Sequence, residues 1–337
     1  MRLKLHRRRR AGIVLVSLLF VSVGFAGTGE EEAPESDGLL NIRTHAPGYA
    51  FRYVPTPRVP RNLAPGQMRA VSQFSVSSIF VDDGAADQTV YKMDFYMRDL
   101  AAGLMVGLPG GLSGELMFRE RRPINAHLDR FIMNFHDAFG YEQNGRENAP
   151  KDDFRIAVPP HDVDLGKEFM EPFRRTLEGT LQQTVCSETE SRPAIALGAT
   201  AALLIYDGYY SEAGDVEGSI HAGATKRWGR HFAHAALAWS WFASRDPIAI
   251  PFKDNLWTGT IGWEWRPKTR HALLLEYMLS EGAVAGLGQL ARPSNEIRLG
   301  YRLRQGAFAL ELGAVENLKY YGNSADIAFH IGLSYDL

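Results

Sequence analysis

The chain has 337 residues, of which 45% are hydrophobic and 23% are charged, and its mean hydropathy is −0.21. These values exclude a bundle of membrane helices. If the chain crosses a membrane, it must do so as a closed sheet, the other fold that satisfies every backbone group in hydrocarbon. The sequence contains one cysteine, Cys186, which excludes an internal disulfide.

Residues 1–26 have the pattern of a signal peptide. Six basic residues precede an apolar run from Ile13 to Phe25, which is too short for a membrane helix. We predict export and cleavage near Ala26, and an uncleaved anchor is the alternative. Cleavage removes six of the 37 basic residues and leaves 31 against 39 acidic ones, a net charge of −8 that argues against a nucleic-acid partner.

Residues 27–66 show no alternation of apolar and polar side chains. They begin with an acidic stretch and continue with five prolines, Pro47, Pro55, Pro57, Pro60 and Pro65. Proline donates no backbone hydrogen bond and is confined to the edges of sheets. We therefore predict a proline-rich periplasmic arm, which could also fold into the barrel mouth as a plug.

From residue 67 onward the sequence alternates between apolar and polar positions, which predicts strands. Tyr91, Met93, Phe95 and Met97 alternate with Lys92, Asp94 and Arg98, and the apolar phase shifts after Asp99. We assign the apolar set to the outward face and the charged set to the inward face. The shift of phase predicts a bulge near Leu100.

The segment from Asp326 to Leu337 alternates without a fault and is long enough to cross a bilayer, which takes about 9 to 11 strand residues. It resembles the C-terminal strand by which outer-membrane barrels of Gram-negative bacteria are recognised for assembly. The resemblance implies the barrel assembly machinery as a partner. Leu337 departs from the more frequent terminal Phe.

Short turns and longer connections alternate along residues 67–337. The short turns fall at 109–111, 187–192, 229–231, 266–270 and 304–306, and the longer connections at 82–89, 122–170, 205–217, 243–255, 280–294 and 320–325. This is the pattern of an outer-membrane barrel with an even number of strands, short periplasmic turns and long outer loops. We predict an all-β fold, a transmembrane antiparallel up-and-down β-barrel of about twelve strands; a soluble all-β protein is the alternative.

The inward face of this barrel carries charges of both signs. The candidate lumen-lining residues are Glu115, Arg119, Arg227, Glu264, Glu296, Arg298, Arg302, Glu311 and His330. Twelve strands enclose a narrow lumen, since eight are just filled by side chains and sixteen leave an open channel. The charges either fill the barrel with salt bridges or line a path for a small solute, and the sequence leaves both readings open.

The outer loop 122–170 contains the one helix that the sequence predicts. Leu128, Phe131, Ile132, Phe135 and Phe139 recur at helical spacing, and Gly140 ends the run. We predict an amphipathic helix over residues 128–139 that packs over the barrel mouth. Its polar face carries Asp129, Arg130, His136 and Asp137. These residues do not form a metal-ligand set, and we predict no metal site.

Two stretches resemble a known family. The helix motif Leu128-Asp129-Arg130-Phe131-Ile132, followed by Phe135-His136-Asp137 and Arg146, and the early Gly38-Leu39-Leu40-Asn41-Ile42-Arg43 are similar to those of the domain-of-unknown-function family numbered 3187. The resemblance implies an outer-membrane barrel of Gram-negative bacteria and brings no established activity. Asn125, Ala126 and His127 stand where the family has Gly-Gly, and Glu178-Gly179-Thr180 stands where it has Gly-Asp, which indicates a divergent member.

We expect an outer-membrane protein that is a narrow, porin-like channel or a structural barrel, with outer-membrane lipid and lipopolysaccharide as partners. The solute is unknown. The sequence has no Gly-x-Ser-x-Gly, HExxH, CxxC or phosphate-loop motif, so we predict no catalytic residue and no cofactor. The alternative function is a lipid hydrolase or deacylase that uses loop residues near the rim.

Overall fold

The computed structural model describes residues 36–60, 63–85, 88–140, 145–242, 248–319 and 321–337. The predicted signal peptide, residues 1–26, lies outside the described residues. In the described part of the chain, no helix is long and apolar enough to cross a membrane.

The described part of the chain consists of strands, one α-helix and short 3-10 turns. The strands are β1 (Met68–Ala85), β2 (Gln88–Gly107), β3 (Leu112–Ile124), β4 (Arg155–Val158), β5 (Val163–Leu165), β6 (Arg174–Cys186), β7 (Ala194–Leu204), β8 (Val216–Trp228), β9 (His231–Trp241), β10 (Asn255–Lys268), β11 (His271–Ser280), β12 (Ser294–Gln305), β13 (Phe308–Lys319) and β14 (Ile327–Asp336). The helix α1 spans Asp129–Phe139. The 3-10 turns are Pro47–Phe51, Pro109–Gly111, Arg146–Asn148, Pro159–His161, Lys167–Phe169, Gly288–Ala291 and Tyr321–Asn323.

Twelve of these strands form a closed antiparallel barrel, which confirms the predicted fold. Each barrel strand pairs with the next in the chain, and β1 closes the ring by pairing with β14, for example Phe74 with Ile331. The small strands β4 and β5 form a hairpin in the loop after β3, and β4 also pairs with the upper part of β2. The short turns and Leu337 lie at one end of the barrel, and the long loops lie at the other. We call these the short-turn end and the long-loop end.

The prediction of an outer loop at residues 82–89 is wrong. β1 continues to Ala85 and β2 begins at Gln88, so the two strands extend as one long hairpin. Their pairing has a single register shift, between Asp83 and Gly84. The bulge expected near Leu100 is absent, because the pairing continues unbroken from Met68 with Val106 to Asp83 with Tyr91.

In residues 91–98 of β2, the inward and outward faces are therefore the reverse of those assigned from the sequence. Tyr91, Met93, Phe95 and Met97 are buried on the same face as the inward Asp99, whereas Lys92, Asp94 and Arg98 lie on the outward face. The physical reason is that the long-loop end of the lumen is apolar. There the β2 side chains pack in one cluster with Tyr49 and Phe51 of the N-terminal arm.

The N-terminal arm, which we define as residues 36–60, lies inside the barrel. It rises from the short-turn end, where Asp37 contacts Arg304, and turns through Pro47–Phe51 at the long-loop end. It then descends, so that Arg58 reaches Glu115. The tip of the arm is held among aromatic rings, with Phe51 4.9 Å from Phe173 between ring centroids.

Glycines on the inward face make room for the rising part of the arm. A Cβ on Gly262, Gly300 or Gly313 would lie 2.5 to 2.6 Å from a methyl carbon of Leu39, Leu40 or Ile42, respectively. Since real Cβ atoms do not approach other carbons so closely, a larger residue at any of these positions would require the arm side chain to move. The arm and the barrel wall are thus packed against each other as parts of one core.

Helix α1 packs against the outside of the barrel and does not cover its mouth, which corrects the expectation from sequence. Ile132 is buried with Tyr96 of β2 and Ile327 of β14, and the ring of Phe131 lies 5.8 Å from that of Phe329. These partners are outward-facing residues of β14 and β2, which flank β1. The apolar face of the helix therefore covers the closing seam of the barrel.

We predict that Gly300→Val displaces the arm, because the new side chain would overlap Leu40. Overpacking of this kind costs about 1 to 3 kcal/mol, so trypsin should cleave after Arg43 about tenfold faster or more than in the parent protein. The measurement is limited digestion of the folded protein with mass mapping of the products. Gly179→Val is the matched control, because Gly179 lies on the outward face with nothing within 4 Å of a Cβ. Equal cleavage rates in the two variants would contradict the packing described here.

Candidate functional site

The candidate site is the lumen, where charged side chains of the barrel bind the backbone of the arm. Four glutamates accept hydrogen bonds from arm amides: Glu276 from Leu40 at 2.5 Å, Glu311 from Asn41 at 2.9 Å, Glu296 from His45 at 3.0 Å and Glu217 from Tyr53 at 3.1 Å. Because the arm has no strand partner, its buried amides need acceptors from elsewhere. The inward carboxylates supply them.

Arginines satisfy the carbonyl oxygens of the arm in the same way. Arg298 donates to the carbonyl of Ile42 at 2.8 Å, Arg302 to Gly38 at 3.1 Å, Arg121 to Tyr49 at 2.7 Å and Arg174 to Phe51 at 3.0 Å. Several of these arginines also pair with the glutamates of the preceding paragraph, as Arg298 does with Glu296 at 2.8 Å. The lumen charges are therefore neutralised as a network that has the arm at its centre.

Side chains of the arm complete the network. Arg43 forms a bidentate pair with Glu178, and Arg58 forms one with Glu115 at 2.5 and 2.9 Å. At the short-turn end Asp37 pairs with Arg304, with Arg266 at 3.2 Å and with Arg69 at 3.4 Å. The arm is thus attached by charge at its beginning, its middle and its descending part.

Eight of the nine residues predicted to line the lumen point inward and bond either to the arm or to other charged residues of the inner wall. Glu264 accepts from Ser36 at 2.6 Å, Arg119 pairs with Asp99 at 2.6 Å, and His330 lies 3.2 Å from Glu311. Glu115, Glu296, Arg298, Arg302 and Glu311 contact the arm directly. Arg227 differs: it lies at the end of β8 and donates to the carbonyl of Gly229 at 2.9 Å.

Several lumen residues were not predicted from the sequence, among them Asp99, Arg174 and Glu217. Asp99 lies where the apolar phase of β2 changes, and Arg174 and Glu217 lie just outside the ranges assigned to strands. Asp99 binds Arg121, and Glu217 binds Arg174. Extending the period-two patterns of β6 and β8 by two residues places Arg174 and Glu217 on the inward face. The same extension in β2 puts Asp99 with Tyr91 to Met97, the set that the sequence assigned to the outward face, so Asp99 could not be identified in this way.

A small cavity remains between the arm and the wall at the short-turn end. Its volume is about 40 Å³, and its lining includes Arg69, Gln73, Arg302 and Glu311. A polar space of this size holds water molecules and not an organic solute.

One inward cluster has the residue types of a hydrolase. Ser75 Oγ lies 2.8 Å from Nδ1 of His330, whose Nε2 faces Glu311. His330 is 1% exposed, and its neighbour across the strands, Gly313, is covered by Ile42 of the arm. A lipid on the outer surface of the barrel has no access to this serine.

The predicted polar face of α1 is divided in the structure. Arg130 and Asp137 are exposed, and the side chain of His136 lies outside the described residues. Asp129 is buried: it binds Tyr96, Arg146 and the backbone amide of Asp152.

We call the buried group of Asp129, Arg146, Asp326 and Ser78 the loop cluster. Arg146 bonds to Asp129, to Asp326 at 2.5 Å and to Ser78 at 2.9 Å. Burial raises the pKa of Asp129, but hydrogen bonds from Tyr96 and from the Asp152 amide, together with the charge of Arg146, hold it below its ordinary value of 3.8. The cluster ties the outer loop to β1 and to the start of β14.

Metal chemistry has no evident site: among the described residues, no group of three or more His, Cys, Asp or Glu side chains is placed to hold an ion.

Comparison with known proteins gives a family and a fold. A sequence model described as "Protein of unknown function (DUF3187)" matches residues 13–337, nearly the whole chain, so the chain belongs to that family, as the helix motif indicated. No curated protein matches the chain.

Among solved structures, the COG4313 outer membrane channel from Pseudomonas putida F1 is 13% identical, with a TM-score of 0.51 over 84% of this chain and 100% of that one. The NanC porin is 7% identical, with a TM-score of 0.45 over 80% of this chain and 100% of that one. The first of these likenesses shows that the chain has the fold of an outer-membrane β-barrel.

We predict that Asp129→Asn releases the outer loop while the barrel stays folded. The ionised carboxylate has a lowered pKa, so its contribution to stability is complete at neutral pH and is lost only as the pH falls below 3.8. Removing one partner of a buried pair costs about 3 kcal/mol, so proteolysis between residues 125 and 173 should accelerate about tenfold or more at pH 7.

The readout is limited proteolysis of the outer loop combined with the gel shift of the folded barrel on heating. Asp162→Asn is the control, because Asp162 is exposed and its φ of 55° suits Asn equally well. Loop cleavage at the parental rate in Asp129→Asn would show that the loop cluster does not hold the loop.

Proposed function

We propose that this member of the DUF3187 family is an outer-membrane channel protein that is closed at rest by its own N-terminal arm. The observation that carries the proposal is that the lumen charges are bonded to the backbone of the arm. A narrow porin-like channel and a structural barrel were the two readings of the sequence. The arm favours a channel with a removable obstruction over a permanently filled barrel.

The outward surface supports a location in the membrane. Leu237, Ile261 and Ile331 are 57%, 61% and 47% exposed, respectively, on the outer faces of three different strands. A continuous apolar surface of this kind leads to aggregation in water, whereas hydrocarbon is its natural solvent. Export by the predicted signal peptide 1–26 and assembly through the C-terminal strand are parts of the same proposal.

The bonds that hold the arm suit a reversible closure. Buried ion pairs contribute little net stability, because desolvation offsets most of the attraction between the charges. When the arm leaves, water enters the lumen and solvates Glu276, Glu296, Arg298 and their neighbours again. A small solute would then pass along a wall that carries charges of both signs. Charged and polar side chains line the path in other channels as well.

The tip of the arm opposes this movement. Phe51 packs against Phe173, Tyr210 and Phe252 with ring centroids 4.9 to 6.0 Å apart, and burying such a ring contributes about 1.5 to 3 kcal/mol. Opening therefore requires a perturbation at the long-loop end. The solute itself, or a molecule bound to the outer loops, could supply it.

The lipid hydrolase or deacylase hypothesis has less support. The Ser75 and His330 contact lies on the inward face beneath the arm, far from the lipid that such enzymes attack. Of the two loop histidines near the rim, His136 has no described side chain, and His127 lies 2.8 Å from Asp152. We retain the channel as the proposed function.

The experiment measures conductance in planar bilayers. We expect the parent protein to show no steady conductance or a very low one, because the arm fills the lumen. Deleting residues 36–60 should produce stable open channels. The gel shift on heating verifies that the deleted barrel is folded, and a folded barrel without conductance after the deletion would overturn the proposal.

A disulfide lock gives a second test that keeps the arm. A Cβ on Gly300 would lie 3.1 Å from Cγ of Leu40, the position that a cysteine sulfur would take. In a Cys186→Ser background, Leu40→Cys with Gly300→Cys should stay closed under oxidising conditions and should open more often after reduction than the parent. Gly179→Cys with Leu40→Cys is the control, because Gly179 lies on the outward face and cannot meet the arm.

A further inference from the structure

A cluster of arginines on the outside of the barrel has no role in the closed lumen. We call Arg98, Arg122 and Arg175, together with Glu120, the arginine patch. These residues lie on the outward faces of three neighbouring strands, β2, β3 and β6, at the long-loop end. Below them, towards the short-turn end, the outward positions carry Leu116, Phe118 and Leu177, which are exposed.

The four residues are direct neighbours across the sheet. Arg98 pairs in register with Arg122, and Glu120 pairs in register with Arg175. Glu120 uses one carboxylate oxygen for Arg98 and the other for Arg175, the second at 2.6 Å. The guanidinium of Arg175 is also held over the ring of Tyr206 at 4.7 Å.

The nearby Glu171 accepts a hydrogen bond from the hydroxyl of Tyr206 at 3.1 Å, so three arginines face two glutamates and one positive charge is left without a counterion. Among the described residues Arg122 forms no ion pair, and its Nε is buried without a hydrogen-bond partner, as is the Nε of Arg98. Like charges that face each other across two strands are destabilising, and a buried Nε–H donor without an acceptor is costly. The patch therefore has a net positive charge and unused guanidinium donors, which an anion would complete.

This patch differs from another sector of the same rim. On β9, β10 and β11 the outward positions near the long-loop end carry Trp239, Trp241, Trp257 and Tyr277, the aromatic girdle expected at a membrane interface. In the sector of β2, β3 and β6, guanidinium groups take the place of the aromatic rings. The anion to be bound is therefore at the depth of the lipid headgroups.

We infer that the arginine patch binds a phosphate group of a phosphorylated, acylated glycolipid in the outer leaflet. Guanidinium groups bind phosphate through two parallel hydrogen bonds, which suits the converging donors of the patch. The acyl chains of the same lipid would lie along Leu116, Phe118 and Leu177. The inference rests on the proposed function only in placing the long-loop end at the outer leaflet.

The test compares three probes on the full mature protein in dodecylmaltoside, with binding measured by native mass spectrometry. The probes are diphosphoryl lipid A, the same lipid with both phosphates removed, and inorganic phosphate. The parent protein should bind the diphosphoryl form about tenfold more tightly or better than the dephosphorylated form, since hydrogen bonds between charged groups are the strong ones. Inorganic phosphate should compete weakly, because it lacks the acyl chains.

Arg122→Gln should lose this preference for phosphate, and Arg175→Lys should lose part of it, since lysine keeps the charge and not the paired donors. Arg155→Gln is the matched control: it removes an exposed arginine of the outer hairpin that pairs with Asp164 at 2.7 Å. The gel shift on heating verifies folding of every variant.

Equal binding of the two lipid forms, unchanged binding by Arg122→Gln, or binding of inorganic phosphate as tight as that of the lipid would overturn the inference. These outcomes are independent of conductance. A protein that prefers phosphorylated lipid A but stays closed without its arm would refute the channel and leave the lipid site in place.

Discussion

The structure depends on one constraint: a chain segment inside a barrel has no strand to pair with, yet its buried backbone groups require partners. Residues 36–60 meet this constraint through the charged side chains of the wall. Glutamates take the amides and arginines take the carbonyls, and Arg43 and Arg58 of the arm add pairs of their own. The charged side chains of the lumen therefore bond either to the arm or to each other.

The same constraint explains the glycines and the aromatic residues of the lumen. Gly300 and Gly313 lie where Leu40 and Ile42 touch the wall, and the apolar β2 residues from Tyr91 to Met97 face the tip of the arm. The lumen thus changes from charged at the short-turn end to apolar at the long-loop end. This gradient follows the sequence of the arm itself, from Asp37 to Phe51.

The fold could be predicted because closure of a barrel depends on local patterns. Period-two alternation and the order of short turns and long loops specify twelve antiparallel strands, and most inward charges follow from parity alone. The reversed faces of β2 could not be predicted in this way. Met93 and Phe95 are apolar, and local pattern does not distinguish an apolar residue that faces lipid from one that faces a folded arm.

The sequence left the arm open between a periplasmic arm and a plug, and it placed α1 wrongly, for a related reason. Both are set by contacts between residues far apart in the chain, such as Leu40 with Glu276 and Ile132 with Ile327. The helix itself and its end at Gly140 depend on local sequence, and both were predicted. Asp129 appeared to be a surface residue because its partners, Arg146 and Tyr96, are distant in sequence.

The central claim is that the arm lies hydrogen-bonded inside the barrel when the protein is in a bilayer. Amide hydrogen exchange of the protein in lipid nanodiscs tests it most directly. The amides of Leu40, Asn41, His45 and Tyr53 should exchange as slowly as those of the barrel strands. Exchange of these four amides at the rate of an unstructured peptide, with the strands still protected, would contradict the account.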